Sequence, residues 1–103
     1  MAHLASLLAR SPHLSNLTAL DLQRNAITSE GMKALAQAEA LSNLTTLNVS
    51  HNKIGPQGAM ALAQSPHLSG LITFYFGSNS IEDEGAKALA RSPFLAEDIE
   101  LAV

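Results

Sequence analysis

The stretch Leu44-Thr45-Thr46-Leu47-Asn48-Val49-Ser50-His51-Asn52-Lys53-Ile54 carries two signals in close succession. Leu47 and Val49 alternate with Asn48 and Ser50 at period two, the pattern of a short strand with one face buried. Asn52 then supplies an amide that can serve backbone donors and acceptors where the chain leaves a sheet. A little further on, Gly58-Ala59-Met60-Ala61-Leu62-Ala63 spaces small residues and one leucine as a helix lying close to a sheet requires, behind a proline suited to a first helical turn. Strand, turn and helix therefore follow one another within a single short unit.

That unit recurs. Ser11 to Gln37, Ala38 to Gln64 and Ser65 to Arg91 align without a gap at a period of 27, and nine positions are identical in all three segments. In the first they are Leu14, Ser15, Leu17, Asn25, Ile27, Gly31, Ala34, Leu35 and Ala36. A fixed period of this size is the signature of a solenoid, in which each unit buries its apolar face only against its neighbours. Met1 to Arg10 fits the helical tail of a preceding unit, and Ser92 to Val103 restarts the frame. The organisation expected is one domain over 1–103, with partial units at 1–10 and 92–103 around repeats 11–37, 38–64 and 65–91, and a fragment of a longer array.

Within the frame, Leu17, Leu20 and Leu22 recur as Leu44, Leu47 and Val49 and as Leu71, Phe74 and Phe76, so these positions point into the core. Asn25, Asn52 and Asn79 stack as an asparagine ladder. Thr28 caps the first complete helix, Gly55 caps the second with Pro56 behind it, and Asp83 and Glu84 suit the positive N-terminal end of the third. Gly31, Ala34, Leu35 and Ala38 share a helix face, with Leu35, Leu62 and Leu89 at its centre. Ser-Pro at 11–12, 65–66 and 92–93 ends the helices, because proline disfavours helical geometry in the residue before it.

Composition narrows the function. The 103 residues are 47% hydrophobic and 15% charged, which is globular rather than disordered, and the six lysines and arginines are scattered through a chain of net charge −3. No basic stripe is available for a phosphate backbone, so nucleic acid is not an expected partner. No apolar run reaches the roughly 18 residues of a membrane span, and no signal-peptide pattern opens the chain. A soluble protein is expected, cytoplasmic or secreted by a route without a visible signal. With no cysteine, disulfides and thiolate metal sites are excluded.

The run Leu44-x-x-Leu47-x-Val49-x-x-Asn52-x-Ile54 resembles the leucine-rich repeat. Gly58-Ala-Met-Ala-Leu-Ala and Gly85-Ala-Lys-Ala-Leu-Ala look like its ribonuclease-inhibitor-like helical type and are similar to the GALA-type repeats of bacterial proteins, some of them secreted effectors that engage host proteins. The resemblance covers essentially the whole chain. It implies an α/β fold, a right-handed leucine-rich-repeat solenoid forming a horseshoe segment, with parallel strands on the concave face and helices on the convex face. It also implies a non-enzymatic protein-interaction module with no cofactor. Ribonuclease inhibition is not implied, because the cysteine-rich units of the eukaryotic inhibitors are missing.

Strands pair at about 4.8 Å and helices pack at about 8–10 Å, so stacked units fan out with the sheet on the inside. The residues between the inward positions then face a partner. They are Asp21, Gln23 and Arg24 from the first strand and turn, Asn48, Ser50 and His51 from the second, Tyr75 and Ser78 from the third and Glu100 from the last, beside the smaller Ala19, Thr46, Thr73, Gly77 and Ala102. For any one of them a merely solvated sheet position is the competing reading. Tyr75 stands out, since an exposed tyrosine supplies contact area at low entropic cost.

Other constellations have simpler explanations. His13 and His67 occupy one repeat position, so register accounts for them better than a metal does, and no His3 or His51 spacing changes that. Glu82, Asp83 and Glu84 read as a solvated helix start. No nucleophile, base and orienting residue can be assembled. Ile99, Leu101 and Val103 continue the inward pattern without a following helix to cover them, which raises self-association through an open C-terminal edge. The alternative is that Ala96-Glu97-Asp98, with an acid at the position of Leu17, Leu44 and Leu71, makes a crude cap. The functional alternatives are a self-associating structural repeat segment without a dedicated ligand, or the recognition part of a larger bacterial effector or enzyme.

Overall fold

A computed structural model describes residues 16–95 and 99–102. The expectations for 1–10, His3, His13, Ser11-Pro12, Leu14, Ser15, Ala96-Glu97-Asp98 and Val103 lie outside the described residues.

The unit read from the sequence is present. Strand β1 (Ala19–Asp21) is followed by helix α1 (Ser29–Ala36) and a short 3-10 helix (Glu39–Leu41). The pattern continues with β2 (Thr46–Asn48), α2 (Gly55–Ala63), a second 3-10 helix (Pro66–Leu68), β3 (Thr73–Tyr75), α3 (Glu82–Ala90) and β4 (Glu100–Ala102). The four strands form one parallel sheet in chain order. Leu20 pairs with Leu47, Leu47 with Phe74 and Phe74 with Leu101, so the register advances by the repeat period itself. Parallel pairing is the only arrangement open to strands that are each followed by a helix on the same side. This is an α/β solenoid with helices on one face of its sheet.

The core lies between sheet and helices. Leu47, Val49 and Phe74 come down from the strands, Ile27 and Ile54 from the turns, and Met32, Leu35, Leu62 and Leu89 from the helices, all of them buried. Complete burial of a side chain such as Leu47 contributes about 2 kcal/mol. Phe76, expected in the core, is half-buried and stacks on Phe74 with ring centroids 5.3 Å apart. Glycine sets the spacing of the helix layer: a Cβ on Gly85 would stand 3.0 Å from the Ala59 Cβ and 2.9 Å from the Ile81 Cβ. No helix among the described residues is long and apolar enough to cross a membrane.

Three local expectations are corrected. Thr28 is the N-cap of α1, but its side chain makes no capping hydrogen bond; its backbone is extended and bridges Lys53 of the next unit instead. Helix α2 begins at Gly55 itself, with φ of +69° there, a conformation that glycine adopts without the steric cost borne by other residues. A proline is not needed to end the helix: α1 stops at Ala36 although Ala38-Glu39 follows where other units have Ser-Pro. Pro66 instead opens a 3-10 helix, capped by the Ser65 hydroxyl, which accepts from the His67 N–H. The same hydroxyl donates to the Ala36 carbonyl at the end of α1, one unit back from the helix that Ser65 follows, and Ser92 does so to Ala63 at the end of α2, satisfying groups that a helix end leaves free.

Candidate interaction face of the sheet

The outward face is held in place by the ladder beneath it. Hydrogen bonding between units runs past the strand ends, from Leu22 N–H to the Asn48 carbonyl (2.7 Å), from Val49 to Tyr75 (2.9 Å), from Arg24 to Ser50 (3.0 Å) and from His51 to Gly77 (2.8 Å). Arg24, His51 and Ser78 then take φ of 59°, 57° and 58°, turning each unit off the sheet at the same level. The asparagines close the turn. Asn52 Oδ1 accepts from the N–H groups of Asn25 and Ile27, both at 2.9 Å, while its amide donates to the carbonyls of Leu22, Val49 and Ser50. Asn79 repeats this one unit later, accepting from Asn52 and Ile54 and donating to Val49, Phe76 and Gly77. Each amide thus bonds its own turn and the turn before it, as the ladder expectation required.

On this frame the outward residues fall into rows. Asp21, Asn48 and Tyr75 are register partners, as are Ala19, Thr46, Thr73 and Glu100. Asp21, Gln23, Arg24, His51, Tyr75, Ser78 and Glu100 are exposed, while Asn48 and Ser50 are half-buried. Asp21 is oriented by Gln23: its Oδ1 accepts from the Gln23 N–H at 3.1 Å and its Oδ2 from Gln23 Nε2 at 3.2 Å. Asn48 makes the same local turn with Ser50, at 3.0 Å. A shallow depression of about 310 Å³ lies between Ala19, Leu20, Asp21, Thr46, Asn48 and Tyr75. It gathers Asp21, Asn48 and Tyr75 from three different units, leaves Arg24, His51 and Ser78 as a column along the sheet's C-terminal edge, and leaves Glu100 outside. Leu20 was expected wholly inward; as a half-buried residue of β1 it also forms part of the wall. Strand alternation gives no signal for that, since it assigns sides and not depth.

The groups assembled here are an oriented carboxylate, an amide, a threonine hydroxyl and a phenol beside aliphatic surface. Away from the sheet, Lys33, Gln37, Gln64 and His67 line a second depression where α1 and α2 end, and Glu82, Asp83 and Glu84 stand exposed on the first turn of α3 beside Pro56.

A family model described as "Leucine Rich repeat" matches residues 13–36, 40–63 and 71–90, more than half of the chain. Comparison with curated proteins returns no match.

Proposed function

From the chain's membership of the leucine-rich repeat family, whose repeats generally serve as protein-interaction modules, we propose that it binds a protein partner on the open face of its parallel sheet, without catalysing a reaction. The observation that carries this reading is the row Asp21, Asn48 and Tyr75. The inward positions of the strands are spent on the core, and this outward row presents a different side chain at each unit over a common depression. Solenoid sheets bind through such rows because every strand adds one independently variable position. Arg24, Gln23, Ser50, His51 and Ser78 extend the surface to the edge, and Glu100 extends it to the last strand. The test is selection of binders from a randomised display library against the full chain, repeated on a variant with Arg24, His51 and Tyr75 all changed to alanine. Removing a tyrosine anchor of this kind costs about 2 kcal/mol or more of binding. Binders lost on a variant of unchanged circular dichroism support the reading; binders retained in full overturn it.

The subtype is part of the same proposal. Gly58-Ala-Met-Ala-Leu-Ala and its counterpart at 85–90 resemble GALA-type units, which favours the recognition segment of a bacterial effector over a free-standing scaffold. A second reading, self-association, is favoured by one observation: Leu101, at an inward position of the frame, is 38% exposed. Light scattering over a wide concentration range, with a Leu101→Ser, Val103→Ser variant alongside, tests it; oligomers abolished by the variant support it, and a concentration-independent monomer overturns it.

A further inference from the structure

We propose that the depression on the sheet face seats a basic side chain of the partner, and that the segment recognised is extended, with two lysine or arginine residues four positions apart. This rests on the sheet-face reading above and names the chemistry of its partner.

Charge is the first ground. Among the outward strand positions only Asp21 and Glu100 are charged; both are acidic and both exposed. Of the cations of the described residues, Lys33 and Lys87 lie on helices, Lys53 in a turn and Arg91 after α3, while Arg24 stands beyond the strand, in the turn at the edge of the face. An anionic segment laid across the strands would meet repulsion from both acids, whereas a cationic one meets attraction at both.

The shape of the depression is the second. Ala19, Leu20, Thr46, Asn48 and Tyr75 line the depression together with Asp21, its one charged residue. A lysine or arginine fits that distribution, with its aliphatic stem along the apolar wall and its head at the charge. The carboxylate is ready to receive it. Gln23 fixes its orientation through two hydrogen bonds, and a carboxylate has acceptor sites for about four.

Spacing supplies the third. β1 and β4 are separated by three strand intervals, about 14 Å across the sheet, and Glu100 sits one pleat repeat, about 7 Å, along the strands from the level of Asp21. Residues i and i+4 of an extended segment point to the same side about 13 Å apart, and a long basic side chain covers the remaining few ångströms. Residue i+2 then falls over Asn48 and Tyr75, where an apolar side chain meets the exposed ring.

Tyr75 makes the test direct, because the chain has one tyrosine and no tryptophan; its emission reads this site alone. The full chain is titrated with the blocked peptide Arg-Ser-Leu-Ser-Arg, with Glu-Ser-Leu-Ser-Glu, and with Arg-Arg-Ser-Leu-Ser. The spaced basic peptide gives a saturable change in emission, weakened by 0.5 M salt. Asp21→Asn and Glu100→Gln each reduce its affinity by about threefold and together by about tenfold, the scale of exposed ion pairs. The acidic peptide gives none, and the peptide with adjacent arginines binds as the Glu100→Gln chain binds the spaced one. Equal responses to acidic and basic peptides, or affinity unchanged in the double variant, overturn the proposal. Library binders that depend on Tyr75 but lack spaced basic residues overturn this inference and leave the sheet-face reading standing; binders indifferent to the face overturn both.

Discussion

Replacing Asn52 by alanine tests the ladder that holds the sheet face together. Asn52 is 7% exposed and makes five side-chain hydrogen bonds. The loss is not five bonds' worth, because some partners keep an alternative. The Val49 carbonyl still accepts from the Asn79 amide at 2.8 Å, and the Ser50 carbonyl still accepts from the Arg24 N–H at 3.0 Å. Left behind are the buried Ile27 N–H, the half-buried Asn25 N–H and the Leu22 carbonyl. At about 1–3 kcal/mol for a group that stays buried and less for one that water reaches, the cost is about 4 kcal/mol. A domain of this size has about 5–15 kcal/mol in all, so the single variant keeps at least about 1 kcal/mol of stability and stays folded.

A second substitution separates this account from a general loss of packing. Asn79→Ala removes the acceptor for the Asn52 and Ile54 N–H groups and costs a similar amount, again sparing Val49 because Asn52 remains. In the double variant the Val49 carbonyl loses both amides at once. The double variant is therefore less stable than the sum of the singles predicts, by about 1 kcal/mol. Urea unfolding followed by far-ultraviolet circular dichroism measures all four corners of the cycle, and unchanged m values are required for the comparison. A single-variant loss below about 1 kcal/mol, or strict additivity in the double, refutes the assignment of the ladder as the tie between units.

Three further outcomes follow from local geometry. Glu82 holds φ of +59° at the repeat position where Gly55 holds +69°, so Glu82→Gly raises stability by about 0.5–1 kcal/mol in thermal unfolding while Gly55→Ala lowers it by about 1 kcal/mol. Gly85→Ala drives a Cβ to within 3.0 Å of Ala59 and 2.9 Å of Ile81; forcing α2 and α3 apart costs about 1–3 kcal/mol, seen as a lower urea midpoint. Ser65→Ala removes the hydroxyl that joins the Ala36 carbonyl to the His67 N–H across two units and costs about 1–2 kcal/mol, whereas Ser65→Thr, if it keeps the rotamer, retains most of it.

What the sequence showed best was whatever repeats with a physical period. Leu47, Val49 and Phe74 announced the buried side of the sheet by alternation, and Asn52 and Asn79 announced the ladder by recurring one period apart, each two places before an isoleucine, where the chain leaves the sheet. The short 3-10 helices escaped notice because three residues carry no period; Leu41 and Leu68 are fully committed to the core although neither has a large apolar residue beside it. Thr28 misled for a different reason. Its identity favours capping, but the parallel bridge to Lys53 holds its backbone extended, a tie to another unit that no local pattern encodes. Ser65 likewise reads as half of a Ser-Pro stop signal until the carbonyl it serves, twenty-nine positions earlier, is seen.

The same division governs the interaction face. Repetition constrains the inward residues to be interchangeable between units, since each unit must present the next with the surface it was itself presented with. No such constraint reaches the outward positions, and there the units diverge: Asp21, Asn48 and Tyr75 share one repeat position and one row of the sheet. Packing alone would accept three identical small polar residues in that row. A carboxylate fixed by Gln23, an amide fixed by Ser50's N–H and an exposed phenol are three different chemistries, and on the proposed sheet-face reading the difference among them, rather than the repeat that carries them, is what a partner would read.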